Sequence, residues 1–198
     1  MPDGDAAGRS AAADALELAG TPSTSEVVVS VPQGSYTAEV TRPRGAGGLV
    51  RTEIREIAHG ATRLVNVSTR GYVGRGANRI TIAFSVEGSG AEPLLARAVG
   101  PGLAPFGVAG ILPRPTLELA GVPPGVRPDV TWRTSQTERD FSASASLVGA
   151  FPLAADGADR SAIVSVRPGT YTMRVGGAEG ATGVALAELF ELPEKGPR

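Results

Sequence analysis

His59 is the only histidine in this sequence, and cysteine is absent. Thiolate chemistry, disulfides and Cys-based zinc sites are thereby excluded. A Ser-His-Asp triad would have to use His59, but that residue lies in the short linker Ala58-His59-Gly60 and no Gly-x-Ser-x-Gly turn is present. A general base has to be held in one orientation, and one imidazole without a second histidine or a thiol makes no transition-metal site. His59 therefore reads as a solvated linker residue. Gly71-Tyr72-Val73-Gly74-Arg75-Gly76 has the glycines of a phosphate-cradling loop without their G-x-G-x-x-G order, and a strand follows instead of a helix, so a hairpin turn is expected. Asp156 and Asp159 lie either side of Gly157 without calcium-loop spacing. They read as an exposed loop, with weak calcium binding as the minor alternative. No catalytic residue, cofactor or metal is assigned.

Two side chains need an explanation, a carboxylate and an indole. Alternate residues of a strand share a face, which sets Glu188 among Val184, Leu186, Phe190 and Leu192, an otherwise apolar face. A carboxylate there needs a partner or takes up a proton. Arg97, inside the apolar run Leu94-Leu95-Ala96-Arg97-Ala98-Val99, and Arg70 are the candidate partners for a buried structural ion pair. Glu191 falls on the opposite face, which argues against an acid and base working together. Trp132, the only tryptophan, stands beside Arg133 and close to Asp129 in a polar stretch. It reads either as a lid on one edge of the core or as a platform for a sugar ring, with Arg133 and Asp129 as further ligand contacts.

The elements that must hold these residues are short strands. Hydrophobic residues make up 41% of the 198 residues but aromatics only 5%, so the core has to be built from Val, Leu, Ile and Ala. The 27 glycines and 16 prolines are interleaved with apolar runs, which fits frequent turns better than disorder. Strand-like runs fall at 27–31, 36–41, 49–57, 63–69, 79–86, 94–99, 116–119, 162–166, 170–175 and 184–192, with further apolar or extended stretches at 129–132 and 145–151. Helix-length apolar periodicity is confined to residues 10–19 of the small, polar N-terminal tail. The expected fold is all-β, a jelly-roll-like or barrel-like sandwich of about ten short antiparallel strands. Lys plus Arg (19) nearly balances Asp plus Glu (20), and no basic stretch is interleaved with aromatics, so nucleic acid is not an expected partner. No apolar run is long enough to span a bilayer.

The sequence repeats itself once. Residues 26–57 align with 161–192 at a constant offset of 135 without a gap, with 12 of 32 positions identical. Among these are Val29/Val164, Gly34/Gly169, Tyr36/Tyr171, Val40/Val175, Gly48/Gly183 and Glu53/Glu188. Glycines match at turns and apolar residues on strands, so one block, read as a three-strand meander, is used twice. Glu53 then holds the place of Glu188 in the first copy. The region 63–150 occurs once. The organisation is a tail (1–25), a partial repeat (26–57), a complete unit (63–192) and a C-terminal tail (193–198). The partial repeat is expected either to pack on the complete unit or to add strands to a neighbouring molecule.

Several ordered motifs carry a resemblance. Leu64-Val65-Asn66-Val67-Ser68-Thr69-Arg70-Gly71-Tyr72-Val73, Arg97-Ala98-Val99-Gly100-Pro101-Gly102-Leu103 with Phe106-Gly107-Val108, Pro115-Thr116-Leu117-Glu118-Leu119, Pro168-Gly169-Thr170-Tyr171-Thr172 and Thr182-Gly183-Val184-Ala185-Leu186-Ala187-Glu188 follow one another in the complete unit. The series resembles a β-rich repeat domain found in tandem in large, mostly uncharacterised bacterial surface and secreted proteins. The resemblance implies a non-catalytic structural or interaction module at the cell surface or outside the cell. Its partners would be copies of itself, neighbouring domains or a glycan. Many members of that family carry an acidic pair before the tryptophan. Here Pro128-Asp129-Val130-Thr131-Trp132-Arg133 has a single Asp, which implies that any ligand role of the pair is lost. Met1-Pro2-Asp3-Gly4-Asp5 is acidic and lacks the apolar region of a signal peptide. The chain is accordingly read as cytoplasmic or as a mature or excised piece of a precursor. A self-assembling module is the first expectation. A carbohydrate-binding module and an accessory domain of a secreted enzyme are the alternatives.

Overall fold

The computed structural model describes residues 29–40, 48–56, 63–122, 135–154 and 157–193. The chain divides into two compact units, Met1–Arg63 and Leu64–Arg198. In the second unit, seven strands run as β1 (Asn66–Val73), β2 (Ile80–Val86), β3 (Glu92–Val99), β4 (Pro115–Ala120), β5 (Arg160–Val166), β6 (Gly169–Gly177) and β7 (Gly183–Glu191). A 3₁₀ turn, Pro101–Phe106, follows β3, and one helix, α1 (Ser135–Leu147), precedes β5.

The strands form two antiparallel sheets, one of order β1-β7-β3-β5 and one of order β2-β6-β4. Odd-numbered strands make the first sheet and even-numbered strands the second, so every connection crosses between them. This interleaving is jelly-roll-like, and the sheets do not close into a barrel. Alternation along each strand decides which side chains go between the sheets. Leu94, Ala96 and Ala98 of β3, Ala162 and Val164 of β5 and Ala185, Ala187 and Leu189 of β7 pack there against Ile80, Ile82, Leu117, Leu119, Met173 and Val175. The alanines leave room for the larger residues opposite, so the core closes without many aromatics.

The first sheet is also buried over part of its other face, around β3 and the end of β7. Leu95, Phe190 and Leu192 form a second cluster with Phe141 and Ala145 of α1, joined by Val148, Ala150 and Leu153. The expectation of no helix outside the tail is corrected here. Among the residues of α1 whose side chains are described, Phe141 and Ala145, one turn apart, are the buried apolar ones, and serines and alanines fill most positions around them. That stripe is too thin to show as periodicity. The stretch 145–151, read as apolar and strand-like, is the end of α1 and its cap. Gly149 adopts φ 69°, and the amides of Gly149 and Ala150 bond back to Ser146 O (3.3 Å) and Ala145 O (2.9 Å), a Schellman stop.

Two further expectations are corrected. Gly71 to Gly76 is not part of a hairpin, because β1 pairs with β7 and β2 with β6. The corner is instead closed by the Gly74 amide on Asn78 O at 2.8 Å and carries the chain from one sheet to the other. Nor is the repeated block a meander. Its complete copy, β5–β6–β7, contains no pair of strands bonded to each other, since β3 separates β5 from β7 and β6 lies between β2 and β4.

That topology explains the first unit. Residues 29–40 and 48–56 are exposed and contain no strand, so the count of about ten falls to seven among the described residues. A block whose strands bond only to β1–β4 has no ladder to form by itself. One local feature survives intact. Tyr36 OH donates to Pro32 O at 2.8 Å in the first copy, as Tyr171 OH donates to Arg167 O at 2.6 Å in the second. A tyrosine reaching back four residues to its own backbone is a corner of the kind that joins strands across sandwiches.

Candidate functional site

Strand register lines up four polar residues straight across the outer face of the first sheet. Ser68 of β1 lies opposite Glu188 of β7, Glu188 opposite Arg97 of β3, and Arg97 opposite Ser161 of β5. Directly opposed side chains are close enough to interact; Glu188, Arg97 and Ser161 are buried, while Ser68 at the β1 end of the row is exposed. Arg97 is only 1% exposed and Glu188 6%. Arg97 Nε lies 3.2 Å from Glu188 Oε2, an ion pair without an aligned hydrogen bond. The guanidinium carbon sits 4.6 Å from the centre of the Phe151 ring, a cation–π contact, and Phe151 meets Phe106 edge to face at 4.9 Å. Arg97 Nη1 and Nη2 and the Ser161 hydroxyl are buried without a hydrogen-bond partner. They border a cavity of ≈ 140 Å³ between the sheet, α1 and residues 150–153.

Asp159 stands just before β5 and is 1% exposed. Its carboxylate accepts from the Gly100 amide at 2.7 Å and the Gly102 amide at 3.0 Å, which pins the 3₁₀ turn to β5. The exposed-loop reading of Asp159 is thereby corrected, since the residue is buried, and Asp156 lies outside the described residues. Glycine is required at both amides. A Cβ on Gly100 would strike Leu112 O, and one on Gly102 would come within 2.8 Å of Leu153 and 2.9 Å of Val99. The motif Arg97-Ala98-Val99-Gly100-Pro101-Gly102 is therefore a packing device, from the arginine at one end to the two glycines at the other.

Burial raises both carboxyls. Glu188 is pushed above its ordinary value by loss of water, against the pull of Arg97 and a hydrogen bond from Ser68. Asp159 is raised by burial against its two backbone bonds and the charges of Arg97 and Arg160. Burial lowers Arg97, while Glu188 and Asp159 oppose the shift.

Of the candidate ion-pair residues, the fold brings Glu188 to Arg97. Arg70 is exposed on β1 opposite Leu186. Glu53 is exposed in the first unit and pairs with Arg51 at 3.2 Å and with Arg55. The hydrogen bond from Arg55 chiefly holds its carboxyl below the ordinary range. Arg51 and Arg55 occupy the places of Leu186 and Phe190, so the first copy neutralises its glutamate within its own segment and the second across strands. His59, Asp129, Trp132 and Arg133 lie outside the described residues. Ser68, Phe151, Asp159 and Ser161 are members of the cluster that sequence reading missed. For Ser161 a signal existed, since alternation with Ala162, Val164 and Val166 puts it on the outer face.

A second, glycine-lined hollow of ≈ 220 Å³ lies between Gly74, Gly76, Gly176, Gly177 and Gly180, with Arg75 and Arg79 at its rim. Arg79 is engaged there by Glu118 at 2.9 Å and Gly76 O at 3.0 Å. Among the described residues, no group of three or more His, Cys, Asp or Glu could hold a metal ion, and no helix is long and apolar enough to cross a membrane. A scan against protein-family models finds no match, and a search of curated proteins finds none either.

Proposed function

We propose that this protein is a non-catalytic structural module of a bacterial surface or extracellular protein, and that it assembles with further copies of itself through residues 26–57. One observation carries the reading. The first copy repeats a block whose strands bond exclusively to β1–β4, and this sequence contains one set of such strands, occupied by the second copy. The first copy thus has the pairing code of a sandwich half and no internal ladder. It exposes Val29, Val31, Tyr36, Val40, Leu49, Val50 and Ile54 while keeping its tyrosine corner. Exposed chain with alternating apolar residues and no strand of its own among the described residues is the material of strand addition. Each copy offers edge strands to receive it, namely β1 and β5 in one sheet and β2 and β4 in the other.

Exchange of the first copy for β5–β7 is the less suitable route. It would bring Arg55 to the place of Phe190 in the cluster beneath α1, and Val50 to that of the fully buried Ala185. Addition at an edge leaves both copies where they are. The non-catalytic part is supported by Asp159, whose carboxylate is engaged by the Gly100 and Gly102 amides in packing the turn after β3. The surface location and the family role rest on the motif resemblance alone. The carbohydrate alternative depends on Trp132, Arg133 and Asp129, and no described residue favours it.

Light scattering on the whole chain and on a chain lacking residues 1–58 tests the proposal. Assemblies of the whole chain that disappear on truncation are expected. Two well-folded monomers would overturn it.

A further inference from the structure

The cavity beneath α1 is built for an occupant. Its floor is the β3–β5 part of the polar row, where the Arg97 side chain arrives 99% buried, with Nε beside Glu188 and one face against Phe151. The contact with Glu188 is an ion pair without an aligned hydrogen bond, on one edge of a guanidinium that has three nitrogens to donate from. The other edge, Nη1 and Nη2, is parallel-pronged, cationic and without an acceptor, and the Ser161 hydroxyl beside it on the next strand also lacks a partner. Leaving such donors without an acceptor is costly, and more so for a charged group than for a neutral one, so the space is not an inert void. Its remaining walls are Phe141 and Phe151, with Ser142 and Ser146 on the exposed side of α1 at the mouth.

Arg97 is the charged residue among those that line the cavity, and Glu188 and Asp159 are the carboxylates whose charges act on it. The nearest carboxylates are directed elsewhere. Glu188 approaches Nε, and both oxygens of Asp159 are taken by Gly100 and Gly102. An occupant must therefore bring its own acceptor oxygens. Two oxygens in one plane match the Nη pair in the bidentate geometry that guanidinium groups favour. A small apolar tail would lie between the two phenylalanine rings, and the ≈ 140 Å³ available limits it to a few carbon atoms.

The geometry points to a binding site for a small carboxylate, held bidentately by Arg97 and by the Ser161 hydroxyl, with its tail against Phe141 and Phe151. This site is independent of the assembly proposal, which uses residues on the other unit.

The test is a titration of the full chain, ¹⁵N-labelled, with ¹³C-acetate, followed through the arginine side-chain resonances. A saturable shift of the Arg97 guanidinium in the millimolar range is expected, with magnetisation transfer from the acetate methyl to the Phe141 and Phe151 rings. Sodium chloride at the same ionic strength should leave Arg97 unmoved. Ser161→Ala removes one charge-assisted bond and should weaken binding about tenfold. Ser142→Phe, at an exposed position, should block the mouth and abolish binding while the core methyl spectrum stays unchanged. Arg97 is left alone because its removal threatens the fold. No saturable shift, an equal shift with chloride, or binding that survives Ser142→Phe would each overturn the proposal and leave the cavity to ordered water.

Discussion

At the residue scale, the Arg97–Glu188 pair is the point where the fold is most vulnerable. Breaking a buried pair by removing one partner leaves an uncompensated charge and typically costs about 3–5 kcal/mol, whereas replacing both with apolar groups is far less harmful. Arg97→Met alone should therefore destabilise the protein by about that amount in denaturant unfolding, and Arg97→Met combined with Glu188→Leu should recover most of it. Additive effects in the double variant would show that the two residues do not act as a pair.

The raised carboxyls add a pH prediction. A group whose pKa is higher in the folded state binds more protons there, so its contribution to stability is complete below the unfolded value, about 4 for Asp and Glu. It is lost as pH rises through the folded value. Glu188 and Asp159 are both raised by burial, so the urea midpoint should fall as pH increases from about 4 toward neutrality. Glu188→Gln should flatten that slope, and an unchanged slope in the variant would contradict the assignment.

At the element scale, the 3₁₀ turn after β3 is held by Asp159 and by the absence of Cβ atoms at Gly100 and Gly102. Gly102→Ala crowds Leu153 and Val99, side chains that can yield, and should cost about 1–3 kcal/mol. Gly100→Ala meets the Leu112 carbonyl, which cannot move without the chain, and should cost more. Thermal unfolding of the two variants ranks them. The two tyrosine corners give a paired test. Tyr171→Phe removes a part-buried hydrogen bond and should lower stability by about 1 kcal/mol. Tyr36→Phe, in the exposed first copy, should leave the main unfolding transition where it is and weaken assembly instead.

At the scale of the whole molecule, the interleaved topology makes the two copies of the repeated block unequal. One has β1–β4 to bond to and the other does not. Their sequences have followed their surroundings. Phe190 sits under α1 and Leu186 is half-buried, while Arg51 and Arg55 at the matching places are exposed. Assembly through the first copy should thus be sensitive to its apolar positions. Replacing Val29 and Val31 with lysine should reduce the scattering mass of any assembly without affecting the folding of Leu64–Arg198. Full-size assemblies of that variant would shift the contact to another surface.

Alternation and turn residues by themselves determined the all-β character and the approximate place of all seven strands. They also marked Glu188 as a carboxylate needing a partner and offered Arg97 as one of two candidates. These are local properties, set by which side chains can share a pleated face. Local properties do not say which strand lies beside which, because period-two alternation is the same whether a neighbour is next in sequence or a hundred residues away. The apparent meander of the repeat is read that way, and the long-range pairing of β3 between β5 and β7 makes it an interleaved half. Tertiary structure alone decided that α1 covers the outer face, since its two-residue stripe becomes hydrophobic cover only once Leu95 and Phe190 lie beneath it. For the same reason Asp159, read as part of an exposed loop, became an anchor, and Ser161, which alternation only puts on the outer face, became an open donor, when β5 was set against β3.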